Sequence, residues 1–374
     1  MFDLHNEGVR KVWSERHRMP MIIAANARLV LLNRELSEGV TFRQYYENPQ
    51  TMLEIQCRFR DYYRHNIYAD HEMGLPAGGW DVNVDFQNDT ECGWLGAEVQ
   101  FAENNVPFTV PFLDDDKKNM LFERGIPGTF DGLMGKIKEY YEYFCTQKAN
   151  GFTYRDLPLA NIGMPGGGTD GPMTLACMLR GTENFCVDLY EDTEYALNLL
   201  DFLTEAAILR IKGIRRYFGQ PEVTQSFGFA DDSIALLSCD DYRELILPYH
   251  KKLVAALSDG SGKNGIHLCG DASRHFKTIR DELNVYSFDT GFPIDFAKTV
   301  KELGPDVTVM GGVHVHLLQL GSADAVAAET KRIIDEVKPL TRNFIMREAN
   351  NLAPNTPPEN IKAMYDTVLR EGEY

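Results

Sequence analysis

Short β-branched and aliphatic runs recur along the chain, and the stretches between most of them switch to a helical period. Eight such runs stand out: Met19–Ala25, Asn66–Asp70, Leu157–Ile162, Glu222–Gly228, Gly265–Leu268, Val285–Phe288, Val307–Met310 and Asn343–Met346. Each has strand length and composition. Leu199, Leu200, Leu203, Ala206, Ala207, Ile211, Ile214 and Phe218 repeat at about 3.6 residues and predict one long amphipathic helix. Ser238, followed by Cys239, Asp240 and Asp241, places a capping oxygen and two carboxylates at the start of the next helix. Thr356–Glu359 reads as a capping box for a terminal helix whose buried stripe is Ile361, Met364, Tyr365 and Val368.

Strands alternating with helices predict an α/β protein, and eight strands predict one parallel (β/α)8 barrel domain spanning residues 1–374. A doubly wound open sheet is the alternative architecture. Residues 72–130 break the rhythm with Pro76, Gly78, Gly79, the acidic Asp114–Asp116 and Gly125–Gly128. They predict a loop-rich insertion that caps the barrel mouth. Trp80, Phe86 and Trp94 in that stretch either stack against an aromatic substrate or form a small local core.

Composition narrows the function. The 38 Lys and Arg against 55 Asp and Glu leave a formal charge of −17, which repels nucleic acid and anionic membrane surfaces. The seven cysteines, at 57, 92, 145, 177, 186, 239 and 269, form no CxxC pair and fit a reducing, cytoplasmic setting. The first residues lack the apolar stretch of a secretory signal, and no run is long enough to span a membrane.

Barrel enzymes carry their reactive groups just after the strands. Those positions hold Asp70 and His71, Asp231 and Asp232, His267, Cys269 and Asp271, then Asp289, His314, His316, Glu348 and Asn350. His267 and Cys269 are two apart at a strand end, so their side chains point to one side. Imidazole and thiolate form a zinc-type pair that needs a further protein ligand. The alternative is a core histidine beside an inert cysteine. Glu348 is the preferred third ligand, because it shares an inward face with Phe344 and Met346, and Asp231 is the next candidate. A salt bridge to Arg347 or Arg342 is the competing role for Glu348. Asp231 and Asp232 are also candidates to orient the histidine or, with His314, to handle protons or fix the substrate. The glycine-rich Met164–Pro172 lacks the Lys-Ser/Thr of a phosphate loop and the GxGxxG spacing. Close backbone approach to a ligand remains open there.

Several ordered motifs resemble the uroporphyrinogen decarboxylase superfamily: Asp170–Ala176 with Leu179–Gly181, Ala230–Asp232 through Tyr242–Tyr249, and His267–Gly270. Gly311–Val313, Gly321–Val326 and Asn355–Ile361 continue the series. The resemblance implies a (β/α)8 barrel. Decarboxylases of this superfamily carry an arginine-rich segment after the first strand, where this chain reads Ala24–Arg28 and keeps only Arg28. The His-x-Cys motif instead resembles the zinc-dependent methyltransferases that work with corrinoid proteins. Coenzyme M-type members have a later cysteine where this chain has Asn350.

The resemblance therefore implies Zn2+ on His267 and Cys269 and leaves the third ligand open; Glu348, from the strand alternation, is the ligand expected there, with Arg28 and Asn350 toward substrate. A methyl group would move between a methoxy compound or thiol and cobalamin on a separate corrinoid protein docking in trans. The missing cysteine tilts the expectation toward O-demethylation. A metal-free decarboxylase and a catalytically silent ligand-binding barrel are the alternatives, and a homodimer is left open.

Overall fold

The computed structural model describes residues 7–374. Its strands, in chain order, are β1 (Trp80–Asn83), β2 (Val99–Gln100), β3 (Phe108–Thr109), β4 (Thr153–Tyr154), β5 (Leu157–Gly163), β6 (Gly228–Ala230), β7 (Asn264–Leu268), β8 (Val285–Thr290), β9 (Thr308–Gly311) and β10 (Phe344–Met346). The chain forms two compact units. The first comprises the chain up to Val84 with Glu142–Gly163 and Phe288–Tyr374; the second comprises Asp85–Tyr141 and Met164–Ser287. Among the described residues, no helix is long and apolar enough to cross a membrane.

In the first unit β5 pairs parallel with β1 and antiparallel with β4, and β10 pairs parallel with β9. A parallel pair needs a long crossover, which the Ala323–Val337 helix supplies between β9 and β10. Arg18, Asp70 and Tyr365 clamp this unit together. Asp70 is 1% exposed and accepts from Arg18 Nη1 at 3.1 Å, Met21 N at 2.8 Å and the Tyr365 hydroxyl at 3.0 Å.

The second unit is built around the Thr193–Tyr217 helix. Leu199, Leu200, Leu203, Ala206, Ala207, Ile211 and Ile214 are all buried, as their spacing predicts. Phe218 lies beyond the last turn as the C-cap and is exposed. Here β6 pairs parallel with β7, Gly228 opposite Gly265 and Ala230 opposite His267. The crossover contains the Leu247–Leu257 helix.

Five of the predicted strands coincide closely with β5 and β7–β10. Met19–Ala25 contributes only an isolated parallel bridge, Met21 to Met346. Asn66–Asp70 is not a strand, because the helix beginning at Pro49 runs to Asn66 and is capped by Ile67; β1 lies further on. Glu222–Gly228 is extended only at its end, with Thr224 bridging to Ser258. The capping box at Thr356 does not form. The helix starts at Pro358 with Pro357 as N-cap, so Glu359 is one position early, and the Thr356 hydroxyl donates to Ala353 O instead. Trp80, Phe86 and Trp94 are all buried, and the indole N–H groups of Trp80 and Trp94 donate to Tyr154 O and Gly128 O. These rings fill local cores.

Removing the Asp70 carboxylate would leave the Arg18 guanidinium buried without its anion. Asp70→Ala is expected to cost about 3–5 kcal/mol, read as a lowered urea midpoint.

Candidate metal centre

Parallel strands end on the same side, so the residues following β6 and β7 converge. His267 is paired with Ala230, the last residue of β6. Asp231 and Asp232 follow Ala230 in sequence, and Cys269 follows β7. Asp231 is the cap between the strand and the short 3-10 segment Asp232–Leu236 that follows it, and the two aspartates are used differently.

Asp231 turns inward and is fully buried. Its Oδ1 accepts from Thr174 N at 2.8 Å and Thr174 Oγ1 at 2.7 Å. Its Oδ2 accepts from Met173 N at 3.1 Å and pairs with His250 Nε2 at 2.9 Å. Met173 and Thr174 lie in the first turn of the Pro172–Arg180 helix, whose free N–H groups attract a carboxylate. Gly171, at φ 84°, allows the close approach, because a Cβ there would run into Ala230 O and the Asp231 side chain.

Asp232 turns the other way. Its Oδ1 accepts from Cys269 N at 2.7 Å, and His267 Nε2 lies 2.9 Å from Cys269 Sγ. One ligand atom from each of Asp232, His267 and Cys269 lies within 4.8 Å of the others. All three side chains are half-buried. Nitrogen, sulfur and carboxylate oxygen are the donors zinc takes, so the residues present fit such an ion.

The electrostatics around the trio are acidic. Burial pushes the Cys269 thiol up, against the opposing effect of His267. The glycine-rich loop before Pro172 is strapped down by Arg210, which donates to Gly166 O and Gly168 O at 2.7 Å each and to Glu91 at 2.5 Å. Glu91 in turn accepts from Asp170 N at 2.6 Å. Burial, then the Glu91 and Asp232 carboxylates, push the Asp170 carboxyl up to about 7.

The structure does not place Glu348 in this trio. Glu348 belongs to the first unit, is fully buried, and accepts from Ala24 N at 3.1 Å and Arg347 Nη2 at 2.7 Å. Burial raises its carboxyl to about 8, opposed by Arg347. Its oxygens are held by the arginine that the sequence offered as the competing partner. His314 bridges to Ala349, beside Glu348 and Asn350 in sequence. Its Nδ1 accepts from His316 N at 2.9 Å, and its ring lies 3.5 Å from that of Phe292. Asn350 has φ 94° and its carbonyl accepts from Arg347. Arg28 opens a short helix, its N–H donating to Asn26. Asp70 and His71 are structural, both His71 ring nitrogens facing carbonyl oxygens.

Residues 163–370 match the family model described as uroporphyrinogen decarboxylase (URO-D). That is more than half of the 374 residues, and the chain belongs to this family. A methylated-thiol–coenzyme M methyltransferase of Methanosarcina mazei is 28% identical over 194 residues, covering 51% of this chain and 49% of the relative. A uroporphyrinogen decarboxylase of Syntrophotalea carbinolica is 28% identical over 207 residues, covering 53% and 57%. The chain thus spans about half the length of these curated relatives. A solved structure described as a methyltransferase from Methanosarcina mazei has a TM-score of 0.64 at 17% identity, with 94% of each chain covered. That likeness shows a shared fold.

The Asp170 shift has a sign that can be measured. A carboxyl held at about 7 when folded and near 3.8 when unfolded binds an extra proton in the folded state between those values, so stability falls as pH rises through that window. Relative to Asp170→Asn, the wild type is expected to lose stability from about pH 4 to about 7 and to level off above it. Urea unfolding at stepped pH reads the difference.

Proposed function

We propose that this protein is a zinc-dependent methyltransferase, moving a methyl group between a small methoxy compound or thiol and cobalamin carried by a separate corrinoid protein. The observation that carries the reading is the convergence of Asp232, His267 and Cys269. The methylated-thiol relative from Methanosarcina mazei supports methyl transfer and favours a thiol or thioether as the small partner. The proposal takes the chain as one cytoplasmic (β/α)8 barrel domain with the corrinoid protein docking in trans.

In this reading His267 supplies a ring nitrogen, Cys269 its sulfur and Asp232 a carboxylate oxygen, leaving a position for the substrate heteroatom. Zinc, when bound, supplies Lewis acidity toward that heteroatom. Asp232 is oriented beforehand by the Cys269 N–H. Cys269 must give up a proton that its burial makes it hold, so the thiol favours its protonated form until a cation arrives. Asp170, whose carboxyl burial and then Glu91 push up, is a candidate to donate to a substrate heteroatom. Asp231 has all its oxygens engaged and acts on the site through the backbone.

The second reading, a metal-free decarboxylase, rests on the decarboxylase relatives and on Arg28. It predicts turnover that is indifferent to chelators and lost in Arg28→Ala.

Elemental analysis of the purified chain decides between them. About one zinc per chain is expected, lost in His267→Ala, Cys269→Ala and Asp232→Ala and kept in Glu348→Gln. A chain that takes up no zinc even when supplied with it would end the methyltransferase mechanism. Retention in Asp232→Ala with loss in Glu348→Gln would return the third ligand to Glu348.

A further inference from the structure

Behind Asp232 runs a line of buried polar side chains that binding a metal does not by itself require. His250 and Tyr242 are 0% exposed, as is Asp231. The Asp231 carboxylate can only accept, so His250 Nε2 carries the proton across their 2.9 Å contact. The other ring nitrogen, Nδ1, lies 3.1 Å from the Tyr242 hydroxyl. Burial, then the charge of Asp231, raises the Tyr242 hydroxyl's pKa, so it keeps its proton.

The helix is shaped to make this alignment. Residues eight apart on a regular α-helix lie about 80° out of line. Tyr242–Ile246 is instead a π turn leading into the Leu247–Leu257 helix. Pro248 has no N–H to continue the α pattern back to Glu244, and the wider turn brings Tyr242 round toward His250. The Phe229 ring packs edge-on against His250 at 4.9 Å.

Both sides of Asp232 are pinned. On one side is the Asp231 carboxylate. On the other, Ser233 N donates to Thr174 Oγ1 at 3.0 Å, and Ile234 O lies 3.1 Å from His275 Nε2. The His275 ring sits 4.7 Å from that of Tyr242, so the same cluster holds both flanks.

We propose that Asp231, His250 and Tyr242 form a positioning relay that holds the backbone of Asp232 so that its carboxylate meets His267 and Cys269. This rests on the metal centre of the preceding section. His250 and Tyr242 are positioning residues: they touch neither ligand atoms nor substrate.

Metal binding by the full chain tests the relay without any turnover assay. Wild type, His250→Leu, His250→Gln and Tyr242→Phe are titrated with Zn2+ against a chromophoric chelator, and with Co2+ by absorption spectroscopy. Far-ultraviolet circular dichroism and urea unfolding report whether each is folded. His250→Leu is expected to bind about 10–100-fold more weakly. Its thiolate-to-cobalt band should persist while the visible ligand-field bands change, because Cys269 stays and the carboxylate is displaced. His250→Gln keeps an N–H donor near the place of Nε2 and should bind within about threefold of wild type. Folded His250→Leu with wild-type affinity and spectrum would overturn the relay. So would His250→Gln binding as weakly as His250→Leu. Where His250→Leu does not fold, Tyr242→Phe decides: weakened binding supports the relay and unchanged binding overturns it. A wild type that binds neither ion is a different result, ending the metal centre and the relay with it.

Discussion

The Asp231 carboxylate is the constraint on which the candidate site depends. A carboxylate with no exposed surface survives in the interior only when donors replace its water. Here they come from two directions: two N–H groups and a hydroxyl from the start of the Pro172–Arg180 helix, and the His250 imidazole. Both helices lie outside β6 in the second unit, so satisfying this one charge fixes the end of that strand against two helices. Gly171 is the steric condition for it. With Asp231 committed to the helix N-terminus, the chain turns at once into the short 3-10 segment Asp232–Leu236, and the Asp232 carboxylate is held by Cys269 N.

A second buried ion, Arg210, does comparable work on the glycine-rich loop. Its side chain is fully buried, and two of its acceptors are loop carbonyls rather than side chains. The loop is therefore held by a cation from the long helix, and its glycines let the backbone curl around that guanidinium. Glu91 balances the charge locally and positions Asp170 through its backbone. The outcome is acidic surroundings for Cys269, with Asp170 and Asp232 near one another. A thiolate formed there without a cation would add a negative charge where burial already opposes one. A divalent ion removes that conflict, and the acidic setting then favours its capture.

What could be read from sequence follows from the range of the interactions. The His267 and Cys269 pair was visible because a strand's two-residue period is local, and β7 lies within a residue of its expected bounds. The long helix was visible for the same reason, since its stripe repeats over several turns. The strand expected at Asn66–Asp70 failed because the helix before it continues through polar residues, while Asp70 answers to Arg18 far away in sequence. Choosing between Asp231 and Asp232 required knowing which neighbour faces the helix N-terminus, which is a tertiary fact. Glu348 looked inward, as expected, but inward meant Arg347 and Ala24 N. His250 and Tyr242 had no local signal. Pro248 was the one hint that the helix carrying them is irregular.

On the proposed reading, the make-up of the donor set bears on the chemistry of the centre. Asn350 is held in a left-handed conformation, with its carbonyl bound to the Arg347 guanidinium that also grips Glu348 and Asp289. This corner of the first unit is thus organised around a buried arginine. A donor set of one thiolate, one imidazole and one carboxylate carries two negative charges and neutralises a divalent ion, whereas a second thiolate in place of the carboxylate would make it softer. The harder set keeps more positive character at the ion. On the proposed reading, that favours polarising an oxygen or sulfur leaving group over holding a second sulfur anion, the direction in which a methyl group would leave the substrate for cobalamin.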